Sequence, residues 1–163
     1  MPRGGNGNGN SGNSGGNTIR GNNKDNSLFG TVADEFMYGR GDDFIFADAG
    51  NDVVDGGSGN DTINGGSGDD TVTGGEGADV FVVDANTERL VITDFEDGVD
   101  QIDLTALNID VNNPASNQYW GDLGTLNGDT ILTFYDTNTY QTVAEVVLEN
   151  FDFNNIDITD YIL

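Results

Sequence analysis

From Tyr38 to Val82 an apolar residue returns every nine positions, at Ile45, Val54, Ile63, Val72 and Phe81. The blocks around them read YGRGDDFIF, ADAGNDVVD, GGSGNDTIN, GGSGDDTVT and GGEGADVFV. The apolar place is the eighth, and β-branched or aromatic neighbours make the second half of each block a short strand with one side chain inward. Glycine at the first, second and fourth places makes the first half a tight turn. A looser copy, FGTVADEFM, sets Asp34 and Phe36 in the same register. One block cannot shield a single Val or Ile from water, but stacked blocks share a continuous thin core. Two blocks then complete one coil, with turns on alternate sides. The expected fold is all-β, a parallel β-roll.

After Val82 the beat stops. Leu90 to Phe95 reads as a strand, and Gly98-Val99-Asp100-Gln101-Ile102 restates the core of a block once more. Asp103 is placed to cap a short helix through Leu107. Trp120 to Phe151 reads as antiparallel sheet, with Asn127-Gly128 as a hairpin turn between alternating strands. These strands cover the open end of the roll, which otherwise exposes edge amides. Residues 1–27 are a Gly/Asn/Ser tract expected to be a flexible linker, although Ile19 and Leu28 stand nine apart like eroded block positions. The division is therefore 1–27 linker, 28–82 roll and 83–163 capping region.

Charge alters this picture most. The chain carries 29 acidic and 5 basic residues, a net charge of −24, which excludes nucleic acid as a general partner. The acidity is phased: Asp43, Asp52, Asp61, Asp70 and Asp79 all hold the sixth place. On a two-block coil, Asp43, Asp61 and Asp79 line one edge, and Asp34, Asp52 and Asp70 the other. Neighbours in such a row, roughly 5 Å apart, repel unless a cation lies between them. Carboxylates beside carbonyls bared by glycine turns form an all-oxygen cage that suits Ca²⁺ better than Mg²⁺. There is no Cys or His, so the usual zinc and copper sites are excluded.

These blocks resemble the RTX (hemolysin-type) calcium-binding nonapeptide GGxGxDxUx. The resemblance implies ions held between turns eighteen residues apart, by the pairs Asp34/Asp52, Asp43/Asp61, Asp52/Asp70 and Asp61/Asp79. It implies turn carbonyl ligands at Gly39 and Gly41 with Gly56 and Ser58, and at Gly57 and Gly59 with Gly74 and Glu76. Asp48, Gly50, Gly65 and Ser67 take the same places in the other row, Asp100 is a further liganding position, and fifth-place side chains such as Asn60 and Asp69 are left free. Thr31-Val32-Ala33 departs from the pattern where glycine is expected. The run TDFEDGVDQIDLTAL is similar to the segment that closes the roll in serralysin proteases and alginate epimerase repeat modules.

The function that follows from the resemblance is a calcium-dependent folding and export module of a secreted, extracellular bacterial protein. The ending Asp160-Tyr161-Ile162-Leu163 resembles the uncleaved signal read by a type I secretion transporter. Met1 is followed by Pro, Arg, Gly and Gly, so no N-terminal signal peptide is expected, nor any membrane insertion. A monomer is expected. The alternative is a calcium-dependent polysaccharide (alginate) module, against which Arg40 stands as the single basic residue between Leu28 and Val82. An ice-binding solenoid needs a longer threonine ladder than Thr62 and Thr71 supply. No enzyme is expected: Gly12-Asn13-Ser14-Gly15-Gly16 matches GxSxG, but there is no strand before it and no His to act as base. Asn60-Asp61-Thr62 matches the glycosylation sequon by coincidence.

Overall fold

The computed structural model describes residues 17–107, 119–136, 141–155 and 160–162. Strands run in order as β1 (Thr18–Arg20), β2 (Ser27–Thr31), β3 (Phe36–Tyr38), β4 (Phe44–Asp48), β5 (Val53–Ser58), β6 (Thr62–Asn64), β7 (Asp69–Glu76), β8 (Val80–Val82), β9 (Arg89–Ile92), β10 (Gln101–Asp103), β11 (Tyr119–Leu126), β12 (Asp129–Asp136), β13 (Thr142–Leu148) and β14 (Tyr161–Ile162). Successive strands alternate between two sheets. One has the order β1-β3-β5-β7-β9-β13-β12-β11, the other β14-β10-β8-β6-β4-β2. Through β10 every pairing within a sheet is parallel. The expected roll of two blocks per coil is therefore what the chain forms.

The thin core is the stack of inward residues. Leu28, Ile45, Ile63, Phe81 and Ile102 come from one sheet and Met37, Val54, Val72 and Ile92 from the other, each almost wholly buried. Burying a side chain of this size is worth about 1.5–3 kcal/mol, so no coil is stable alone. Phe95 lies against Phe81 and meets Phe151 edge-on at 5.3 Å, which closes the C-terminal end of the core.

Three expectations need correction. Residues 17–26 are part of the roll: β1 pairs with β3, and Ile19 packs on the core, so the linker boundary does not fall at residue 27. The roll also continues beyond Val82, because β9 and β10 extend both sheets in parallel. The earlier part of the linker, residues 1–16, lies outside the described residues. Finally, Phe36 is exposed and Met37 takes the inward place, opposite Val54.

That last change has a simple origin. Tyr38 pairs with Asp55, an offset of 17, whereas Phe44 pairs with Thr62, an offset of 18. The turn 39–43 is thus one residue shorter than the turn 56–61. Everything from Tyr38 back to Ser27 moves by one place, and a one-residue slip turns a strand's faces over.

The capping region follows the sequence reading in part. β11 and β12 form the expected hairpin, with Asn127 at φ 60° and Gly128 at φ 101°, the left-handed pair of a type I′ turn. β12 and β13 are also antiparallel, but β13 joins β9 in parallel, so the cap continues a sheet of the roll. Asp103 Oδ1 accepts from the Thr105 N–H and hydroxyl, capping a 3-10 turn at Thr105–Leu107.

Candidate metal centre

The sixth-place residues form two buried ladders. In the first, the backbone N–H of each donates to Oδ1 of the next: Asn26 to Asp43 at 2.7 Å, Asp43 to Asp61 at 2.7 Å, Asp61 to Asp79 at 2.8 Å, and Asp79 to Asp100 at 3.0 Å. In the second, Glu35 donates to Asp52 at 2.7 Å and Asp52 to Asp70 at 2.9 Å. Glu35 therefore holds the place assigned to Asp34, a consequence of the short turn. Asp34 is exposed and accepts from the Asn51 N–H instead, so the Asp34/Asp52 pair does not form.

Each interior carboxylate spends one oxygen on the ladder. In Asp52, Asp61, Asp70 and Asp79 the other, Oδ2, is buried without a hydrogen-bond partner among the described residues, whereas in Asp43 it accepts from the Arg40 N–H. Leaving such an oxygen unpaired costs about 1–3 kcal/mol, more when charged. Burial, reinforced by neighbouring carboxylates, pushes Asp61 and Asp70 up to about 7 and Asp52 and Asp79 up to about 6. Asp43 and Asp100 are raised by the same burial.

The turn glycines supply the rest of the cage. A Cβ on Gly56 would lie 2.5 Å from Asp61 Oδ2 and 2.7 Å from the Gly74 carbonyl oxygen, and one on Gly65 would lie 2.5 Å from Asp70 Oδ2. Gly39 and Gly74 sit in the same way against Asp43 Oδ2 and Asp79 Oδ2. Gly39, Gly41, Gly57, Gly59 and Gly50 each press a carbonyl oxygen towards a glycine of the next coil. The Ser58, Glu76 and Ser67 carbonyls accept from the Gly41, Gly59 and Gly50 N–H groups, which leaves each a second lone pair. Asp48 takes a second place normally held by glycine, at φ 78°; its side chain is exposed, and its carbonyl accepts from Ser67. Asp100 closes its ladder with both oxygens engaged, the second by the Glu96 N–H at 2.9 Å.

Among the described residues no three acidic side chains converge on one point. A cation here must draw on carbonyls as well as carboxylates, which is hard-cation chemistry. Orphaned carboxylate oxygens beside side-chain-free glycines fit Ca²⁺. Asp52, Asp61, Asp70 and Asp79 would hold it together with turn carbonyls.

Two features were missed by sequence reasoning. Fifth-place side chains, expected to be free, instead form an outer ladder, in which Asp42, Asn51 and Asn60 Oδ1 accept from the N–H groups of Asn60, Asp69 and Ala78. The run of Asp or Asn at that place in four consecutive blocks was the available signal. Asp94 accepts from both the Gly74 and Gly75 N–H groups at 2.9 Å, sealing the last glycine turn, and no repeat position pointed to it.

Residues 11–40, 39–63 and 55–86 match the family of the RTX calcium-binding nonapeptide repeat, with 4 copies. Residues 11–86, just under half of the chain, thus match RTX repeats. No curated protein matches the chain. Among the solved structures that share the fold are two subunits of the mannuronan C5-epimerase of Azotobacter vinelandii. AlgE6R2 is 24% identical with a TM-score of 0.62, covering 83% of this chain and 91% of that one. AlgE6R3 is 24% identical with a TM-score of 0.52, covering 91% and 80%. The roll of this chain thus shares its fold with subunits of an enzyme, and calcium is the ion its matched repeats imply.

Proposed function

We propose that this RTX chain is a calcium-dependent folding module of a secreted bacterial protein, exported by a type I transporter and folded outside the cell. The observation that carries the calcium part is the set of four buried, unpartnered oxygens on Asp52, Asp61, Asp70 and Asp79. In a chain of net charge −24, a fold that buries them unneutralised opposes itself. Calcium bound by the folded state alone makes folding and binding one event. A midpoint near 10⁻⁴–10⁻³ M, the order usual for extracellular modules, keeps the chain open in a low-calcium cytosol. The export part rests on the RTX repeats and the acidic-apolar ending. Asp160 is fully buried and β14 pairs with β10, so a signal there would become a strand once the chain folds. The test is far-UV circular dichroism. A β-rich spectrum in excess chelator at pH 7.5, unchanged by calcium, refutes the reading.

One observation favours a second reading, a polysaccharide module. Beside the turn 39–43 lies a recess of about 540 Å³ whose side chains come from Arg20, Asn23, Tyr38, Arg40, Asp55, Ser58 and Glu76. Arg20, outside the repeat span considered in the sequence, lies 4.8 Å from the Tyr38 ring centre. Two arginines beside an aromatic ring suit an acidic sugar, against the opposing carboxylates of Asp55 and Glu76 in the same lining. Calorimetry with an oligouronate supports it if binding is lost in Arg20→Ala/Arg40→Ala; no heat with the calcium-loaded wild type sinks it.

A further inference from the structure

In the first coil the repeat chemistry gives way to hydrogen bonds within the chain. Glu35 holds the ladder place of an aspartate, yet its longer side chain turns back on its own turn. Its Oε1 accepts from the Thr31 hydroxyl at 2.6 Å and its Oε2 from the Thr31 N–H at 3.0 Å. Both carboxylate oxygens are therefore used, and Glu35 is 4% exposed. On the other edge the ladder begins at Asn26, a neutral residue whose Oδ1 accepts from the Asn22 N–H at 2.6 Å. Asp43, beside it, has Oδ1 taken by the Asn26 N–H and Oδ2 by the Arg40 N–H, both at 2.7 Å. The short turn 39–43 brings that Arg40 N–H to the carboxylate. The buried carboxylate oxygens without partners occur further along, from Asp52 to Asp79.

We infer that the N-terminal coil is closed without calcium: Thr31 and Glu35 replace the ion between turns 31–35 and 48–52, and Asn22, Asn26 and Arg40 replace it between turns 21–26 and 39–43. This rests on the reading of the later turns as calcium sites, and goes beyond it by setting where they begin. The physical reason is equivalence of charge satisfaction. An N–H or O–H donor offers a carboxylate oxygen what a cation would, without the need for a free ion. The roll then carries a calcium-independent end on which the calcium-bound coils stack.

The test counts ions on the full chain by native mass spectrometry in saturating calcium. Glu35→Gln keeps the wild-type count, while Asp70→Asn loses at least one ion. The triple substitution Thr31→Gly/Ala33→Gly/Glu35→Asp restores GGxGxD after Gly30 and adds one ion. Loss of an ion in Glu35→Gln overturns the inference, as does a folded triple variant with no ion gained. If the triple variant does not fold, the Glu35→Gln count decides alone. A wild type that binds no calcium at all refutes the calcium reading itself, which separates the two failures.

Discussion

Replacing Asp61 by Ala tests whether register, and not bulk acidity, holds the metal. Asp61 is 1% exposed and lies mid-ladder, with Oδ1 accepting from the Asp43 N–H at 2.7 Å and Oδ2 left over. Truncation orphans the buried Asp43 N–H, a cost of about 1–3 kcal/mol. It also removes a ligand from the turns on both sides. With free calcium at about 10–100 times Kd, each site contributes about 1.4–2.7 kcal/mol, so two sites contribute about 3–5 kcal/mol. The combined loss, about 4–8 kcal/mol, compares with a total stability of about 5–15 kcal/mol for an ordinary domain. Asp61→Ala should therefore remain unfolded at calcium concentrations that fold the wild type. Asp69→Ala removes the same formal charge from an exposed position, where substitutions usually stay within about 0.5 kcal/mol. The assay is a calcium titration of both variants followed by far-UV circular dichroism. Coincident midpoints would mean that net charge alone governs folding, and the ladder argument would fail.

Other outcomes follow from the same geometry. Gly56→Ala places a methyl group against Asp61 Oδ2 and the Gly74 carbonyl, so native mass spectrometry should show at least one ion fewer, and an unchanged count contradicts the cage. Burial raises Asp52 and Asp79 to about 6 and Asp61 and Asp70 to about 7 in the fold against about 3.9 in an unfolded chain. Their folded values are raised, so the folded state binds more protons, and the metal-free fold loses stability as pH rises from about 4 to about 7. In chelator, β-structure should grow as pH is lowered from 7.5 to 5; a flat profile argues against burial of these groups. Removing residues 160–163 deletes β14 and the buried Asp160, which should both lower export beside a matched type I transporter and raise the calcium midpoint of folding. Undiminished secretion counts against a signal in the tail.

The sequence by itself determined the coil. A nine-residue period with one apolar, one acidic and several glycine places admits few packings, because a thin strand stack is the only core so small a block can share. Ile45, Val54, Ile63, Val72 and Phe81 are accordingly all buried, and Asp52, Asp61, Asp70 and Asp79 hold the unpartnered oxygens. What the sequence left undecided was phase at the N-terminal end. A residue missing from a turn is invisible to a pattern that tolerates substitutions, and GRGDD looks as much like a block as GGSGND does. Only pairing across coils reveals the offset of 17 between Tyr38 and Asp55, since strand partners are fixed by backbone hydrogen bonds and not by side-chain identity. That offset turns Met37 inward and puts Glu35 in place of Asp34. The tertiary structure also decided which carboxylates remain unsatisfied. Asp43 and Asp61 look alike in sequence, but the Arg40 N–H completes the first and nothing among the described residues completes the second. Hydrogen-bond satisfaction depends on what lies one coil away, and that distance is set only when the coils close.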